Sequence, residues 1–244
     1  MTPILVFDIE TVPDIPGIRR INDLPGDLPD QGVMDWFNQK RRAAIGSDFA
    51  PHYLQQVVAI ACALRQKDDL RIWSVGDIDD PEPELIRRFF GGIEQLTPQL
   101  VSWNGGGFDL PVLNHRALIH GIVAEKYWDW GDHDRDFKWN SYLGRYHTRH
   151  LDLMDVLAMY QPRANAGLDA IARLCGFPGK LADVRNYCEC DVMNTYLVYQ
   201  RFRLMRGETS AGEYAKEVAL ARERVAGSSA PHWQQFVAAW NAGA

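Results

Sequence analysis

The sequence predicts an α/β domain built on a mixed β-sheet flanked by helices, on three observations. The run Ile4-Leu5-Val6-Phe7 is apolar, β-branched and aromatic, the pattern of a buried central strand. Residues 56–64 and 70–75 are two further strand patterns. Only the polar Gln66-Lys67-Asp68-Asp69 and one more residue separate them, which suits a hairpin. From residue 82 onward helical and strand patterns alternate, as in a sheet with helices packed on its faces.

The elements follow in order. After the first strand, residues 13–32 are polar and rich in Pro and Gly, and read as a loop. Residues 34–44 read as a short helix with a basic end at Lys40, Arg41 and Arg42. A connection of about forty residues between strands is long, and long connections are often functional. Residues 82–96 form an amphipathic helix with Leu85, Ile86, Phe89, Phe90 and Ile93 on one side. A short strand at 100–103 leads through Asn104-Gly105-Gly106-Gly107-Phe108 into a helix at 109–120. Residues 126–150 are irregular, aromatic and charged. A strand at 150–153, helices at 154–160 and 168–174, and a long helix from 183, with Asp183 as its N-cap, to about 206 come next. The tail holds a charged helix from Ala211, a Gly227-Ser228-Ser229 break and an amphipathic piece at 233–240. The expected division is a main domain over 1–206, with an insertion at 13–55, and a helical tail over 207–244.

Composition bounds the function. The 244 residues are 46% hydrophobic, enough for one core with a small appendage. No apolar run reaches the ~18–20 residues of a membrane span, and no basic-then-apolar start marks a secretory signal. Cys62, Cys175, Cys188 and Cys190 contain no Cys-x-x-Cys pair, so thiols in a reducing cytoplasm are expected. A net charge of −6 argues against coating nucleic acid by bulk charge. It does not argue against gripping one strand end through metals.

Three carboxylate stretches carry the chemistry. Asp8 and Glu10 lie at i and i+2, on one face of a strand and roughly 6.5–7 Å apart along it. Either a hard divalent cation lies between them, or the strand simply ends and both are solvated. Asp109 falls where a strand gives way to a helix, and is either a site residue or a helix cap. Tyr187 and Asp191 share a helix face at i and i+4: a phenol and carboxylate beside a metal, or an ordinary half-buried Tyr with a solvated Asp.

In this order and context, Asp8-x-Glu10, Asn104-Gly105-x-x-Phe108-Asp109 and Tyr187-x-x-x-Asp191 resemble the three motifs of the DnaQ-like 3′→5′ exonucleases, in their DEDDy branch. The flanks 150–155 and Gly176-Phe177-Pro178-Gly179-Lys180 resemble the bacterial stand-alone group related to the proofreading domain of family B polymerases. The resemblance spans about 4–199, leaving out the insertion and the tail. It implies a ribonuclease H-like fold and two Mg²⁺ or Mn²⁺ ions, about 3.5–4 Å apart. Asp8 would bridge them, Glu10 and Asp191 would hold the one that carries the attacking water, and Asp109 would support the second. Tyr187 would orient the water, and Asn104 and Phe108 would position the terminal nucleotide, Phe108 by stacking. The implied partner is single-stranded nucleic acid with a free 3′ end, DNA favoured over RNA, releasing nucleoside 5′-monophosphates. Neither a membrane nor a polymerase partner is read from the sequence. The alternatives are an exoribonuclease with the same site and a silent nucleic-acid-binding module.

Other signals are weaker. Asp132, Asp134 and Asp136 alternate like an EF-hand loop but lack its Gly and final Glu. His147 and His150 have zinc-like spacing without further ligands. Aromatic and basic residues interleave over 126–149, as a stacking surface or as a solvated loop over the core. Of Asp152 and Asp155, Asp152 at a strand end is the better candidate to support the site.

Overall fold

Five strands form one sheet in the order β3-β2-β1-β4-β5. This is a computed structural model that describes residues 2–180 and 187–242, with Tyr187 described by its backbone alone. β1 (Ile4–Pro13) lies at the centre. It runs antiparallel to β2 (Gln55–Gln66), which pairs in turn with β3 (Asp69–Ser74) as the expected hairpin. On its other side β1 runs parallel to β4 (Gln99–Ser102), and β4 parallel to β5 (His150–Asp152). Three parallel strands and an antiparallel hairpin make the mixed sheet that the sequence predicts.

The period of two in β1 divides the core. Leu5, Phe7 and Ile9 pack on one side with α3 (Glu82–Leu96) and α4 (Asp109–His120). Ile4 and Val6 face the other side, where α7 (Tyr187–Met205) supplies Val192, Met193 and Tyr196. Residues 192–200 of α7 are all buried, because the helix lies between the sheet and α6 (Leu168–Leu174), α8 (Ala211–Ala226) and α9 (Pro231–Ala242). A helix buried all round shows no polar stripe. Trp233, Phe236 and Trp240 of α9 and Ala221 and Val225 of α8 bury their side chains in this same core.

Several elements differ from expectation. The stretch read as a loop contains α1 (Ile15–Ile21), capped by Asp14, whose carboxylate accepts the Gly17 N–H at 2.9 Å. An Asp cap followed by Pro16 is a helix-start signal that the Pro/Gly content obscured. α2 (Asp30–Ile45) starts four residues before the predicted Met34. Together with Ala50 and Leu54, these two helices form a separate small core of Ile18, Val33 and Phe37. α5 (Leu153–Leu157) is shorter than the predicted 154–160, because Met159 and Tyr160 take positive φ values of 51° and 61°. The N-cap predicted at Asp183 lies outside the described residues. No helix among the described residues is long and apolar enough to cross a membrane.

Candidate active site

Asp8 and Glu10 continue the β1 face that carries Ile4 and Val6, so the packing of those two residues under α7 aims both carboxylates towards that helix. The register with β2 shifts between Glu10 and Thr11. A bulge of this kind turns the strand just beyond the two acids. Because β1, β4 and β5 are parallel, their carboxyl ends emerge on one side of the sheet, the usual place for a site in such folds.

The turn after β4 is built by close approach. A Cβ on Gly105 would lie 2.3 Å from Ser102 Oγ, so only glycine closes it. Asn104 takes a φ of +65°. Its N–H and that of Gly106 both donate to the Asp152 carboxylate at 2.9 Å. Asp152 thus fixes the turn through the backbone. Asp109 is the first residue of α4, and the capping position belongs to Phe108. Asp109 Oδ1 accepts the Ile9 N–H at 3.1 Å, which ties the start of α4 to the residue between Asp8 and Glu10. Asp191, half-buried on the second turn of α7, faces the same end of β1.

The electrostatics follow from this convergence. Asp8 is pushed well above the usual carboxylate range, first by burial, then by Asp109, Asp191 and Glu10; the Cys188 thiol opposes the shift by hydrogen bonding. Burial raises Asp109 from 3.8 to about 7, with Asp152 and Glu10 adding to it. Asp191 rises to about 6, again chiefly by burial. Glu10 is raised by burial, and the charge of Lys180 works against the rise at both Glu10 and Asp191. The sequence reading missed Lys180 as a site residue. Its backbone is set in place by Asn194, whose side chain accepts the Gly179 N–H at 3.2 Å and donates to the Gly179 carbonyl at 2.9 Å. A fully buried Asn in an otherwise apolar stretch of α7 was the available signal.

An all-oxygen set of four acids matches hard divalent cations in chemistry and in charge. Among the described residues, no three His, Cys, Asp or Glu side chains stand together in an arrangement that holds a metal ion. Carboxylates without a cation between them repel; burial is the first cause of the raised pKa values, and at Asp8, Asp109 and Asp191 neighbouring carboxylates add to it. Tyr187 opens α7 four residues before Asp191, and its side chain lies outside the described residues.

A sequence model of predicted 3′–5′ exonucleases related to the exonuclease domain of PolB matches residues 47–240, well over half of the chain. The chain belongs to this family. The match starts after β1, so Asp8 and Glu10 join the site on structural placement. The family B DNA polymerase from the hyperthermophilic archaeon Pyrobaculum calidifontis has a similar structure, with a TM-score of 0.50 and 16% identity. The likeness covers 83% of this chain and 24% of the polymerase, so the chain spans about a quarter of that protein's length. The shared architecture is the ribonuclease H-like fold.

This member of the exonuclease family presents a cavity of about 470 Å³ beside the glycine turn, lined in part by Asn104, Gly106, Gly107, Asn114 and Tyr160 and by none of the four carboxylates. The Phe108 ring lies 5.8 Å from Phe49 and 5.5 Å from His52. The loop at 126–149 mostly serves the core. Tyr127, Phe137 and Tyr142 are buried, Arg145 pairs with Asp155 at 2.7 and 2.8 Å, and Arg149 lies 4.0 Å over the Phe137 ring. Trp130, Trp139 and Tyr146 remain exposed. Asp129 organises the following turn, accepting N–H bonds from residues 131–134, so the alternating aspartates are not a calcium loop. His147 Nδ1 accepts the Ser141 N–H, and His150, lowered to about 4 by burial, shares a hydrogen bond with Ser102. These two rings serve the local structure and do not form a zinc pair.

Proposed function

We propose that this chain removes nucleotides from the 3′ end of single-stranded DNA, releasing nucleoside 5′-monophosphates. The observation that carries the reading is the convergence of Asp8, Glu10, Asp109 and Asp191 from β1, α4 and α7, with all four pKa values raised. Outside a metal site, such a concentration of uncompensated carboxylate is costly.

Asp8, Glu10, Asp109 and Asp191 would hold two Mg²⁺ or Mn²⁺ ions. Bound there, the ions supply an acidified water and charge stabilisation for the leaving 3′ oxygen. Tyr187 orients the attacking water as a hydrogen-bond partner. Asn104 and Phe108 hold the terminal nucleotide, and the cavity beside the glycine turn receives the chain upstream of it. An exoribonuclease would use the same residues, and a silent binding module would keep the fold without turnover.

The test is a 5′-labelled single-stranded DNA and its RNA counterpart, each with Mg²⁺, Mn²⁺ or EDTA, for wild type and Asp191→Ala. The expected result is a ladder shortening from the 3′ end of DNA, absent in EDTA and in the variant. Faster shortening of RNA would make the enzyme an exoribonuclease. Retained binding with no cleavage of either polymer would sink the catalytic reading.

A further inference from the structure

We propose that the insertion between β1 and β2 supplies Phe49 as the surface on which the unpaired base of the 3′-terminal nucleotide stacks. The inference rests on the exonuclease reading above and gives the insertion a role in positioning the substrate.

Position comes first. Phe108 immediately precedes Asp109, whose carboxylate is bonded to the backbone between Asp8 and Glu10. An aromatic ring in contact with Phe108 therefore sits against the residue that leads into Asp109. Phe49 is in that contact, tilted 52° to Phe108, and His52 backs Phe108 edge-on at 67°. The two phenyl rings already touch, so a base would lie on the open face of Phe49 and not between them.

Phe49 is one of several exposed large hydrophobic residues of the insertion, with Ile21, Ile45 and Tyr53, and the one among them in ring contact with Phe108. Phe49 is 57% exposed, while Ala50 beside it is 2% exposed and enters the core of the insertion with Ile18, Val33, Phe37 and Leu54. A Phe left in water forgoes the stabilisation that burying its ring would bring. The backbone nevertheless holds it there. The Arg41 guanidinium donates to the Phe49 carbonyl at 2.7 Å, and the Phe49 N–H donates to Ser47 Oγ at 3.2 Å.

The insertion is also locked to the helix that Asp109 begins. Arg116 of α4 bonds Asp14, at the start of the insertion, at 2.6 Å. It also grips the buried Glu82 of α3, which accepts the Val57 N–H of β2 at 2.7 Å. Asp14 in turn donates its N–H to Leu54 at the end of the insertion at 2.8 Å. Phe49 and Asp109 are thus parts of one braced unit, as a stacking platform at a fixed distance from the scissile bond requires. A ring in this place reads a base face and nothing of its edge, so it takes any of the four bases, provided the end is unpaired.

The experiment compares two 5′-labelled single-stranded DNAs that differ only at the 3′-terminal residue, one normal and one abasic. Wild type, Phe49→Ala and Phe49→Trp are assayed on both, with Mn²⁺. Stacking of one base on one aromatic ring is worth about tenfold in affinity or more. We expect wild type and Phe49→Trp to show a KM about tenfold lower for the normal end. Phe49→Ala should lose that preference, with its kcat on the abasic end within about twofold of wild type. A Phe49→Ala enzyme that keeps the full preference would overturn the proposal. So would equal loss of kcat on both substrates, which marks a structural defect. If wild type cleaves neither DNA, the exonuclease reading fails first, and dissociation constants from fluorescence anisotropy in EDTA then decide the stacking alone. Equal Kd values for the two ends in wild type would end it.

Discussion

Replacing Asp109 with Asn should make the metal-free protein more stable while destroying its use of metal. Asp109 is almost wholly buried, and its pKa is about 7 in place of 3.8. The folded state therefore holds a proton that the unfolded chain releases near pH 4. The group imposes no penalty below pH 4, and stability is lost progressively as the pH rises to 7. A shift of about three pH units corresponds to about 4 kcal/mol at pH 8. Asn is neutral throughout and retains an oxygen for the Ile9 N–H, so that penalty disappears. For a chain of this size, 1 kcal/mol moves the melting temperature by roughly 2–4 °C, so the gain is on the order of 10 °C. The assay is scanning calorimetry of wild type and Asp109→Asn at pH 4.5, 6 and 8, in EDTA and in Mn²⁺. In EDTA the two melting temperatures should nearly coincide at pH 4.5 and diverge by pH 8, the variant being higher. Mn²⁺ should raise wild type at pH 8 far more than the variant. A variant no more stable than wild type at pH 8 in EDTA would refute the electrostatic argument. A wild type indifferent to Mn²⁺ would refute the metal assignment.

Other perturbations probe separate parts of the molecule. Tyr187→Phe should lower kcat by about 10²-fold while leaving the Kd for single-stranded DNA within twofold, because it removes a water-orienting hydroxyl and no binding group; unchanged turnover would remove Tyr187 from the mechanism. Asp152→Ala strips the acceptor from the Asn104 and Gly106 N–H groups and should cost about 1–3 kcal/mol in urea unfolding, with a fall in kcat as the turn before Asp109 loosens; full activity with lost stability would separate the turn from catalysis. Arg116→Ala leaves Glu82 buried without its guanidinium and should cost about 3–5 kcal/mol, read from the same denaturant curves; a loss below 1 kcal/mol would show that the ion network does not brace the insertion.

Local pattern determined much of this protein. The periods of two and 3.6 placed all five strands and every main-domain helix except α1, because each element had to bury an apolar face of its own. The three acidic stretches were legible only together: each alone also read as a solvated or capping carboxylate, and their order and resemblance to the exonuclease motifs singled out Asp8, Glu10, Asp109 and Asp191. The tertiary structure decided what these stretches do to one another. The parallel register of β1, β4 and β5 brings their ends to one side, and the packing of Ile4 and Val6 under α7 turns Asp8 and Glu10 towards Asp191. No single stretch encodes that convergence, nor the pKa shifts it causes, for both depend on burial and on charges up to about 180 residues away in the chain. Lys180 and Phe49 escaped assignment for the same reason, and Asp152 was legible as a supporting residue but not in what it grips. Each acts through a contact made across the fold: Asn194 setting the backbone before Lys180, Asp152 gripping the turn after another strand, and Phe49 meeting Phe108 from an insertion that sequence pattern alone reads as a connection.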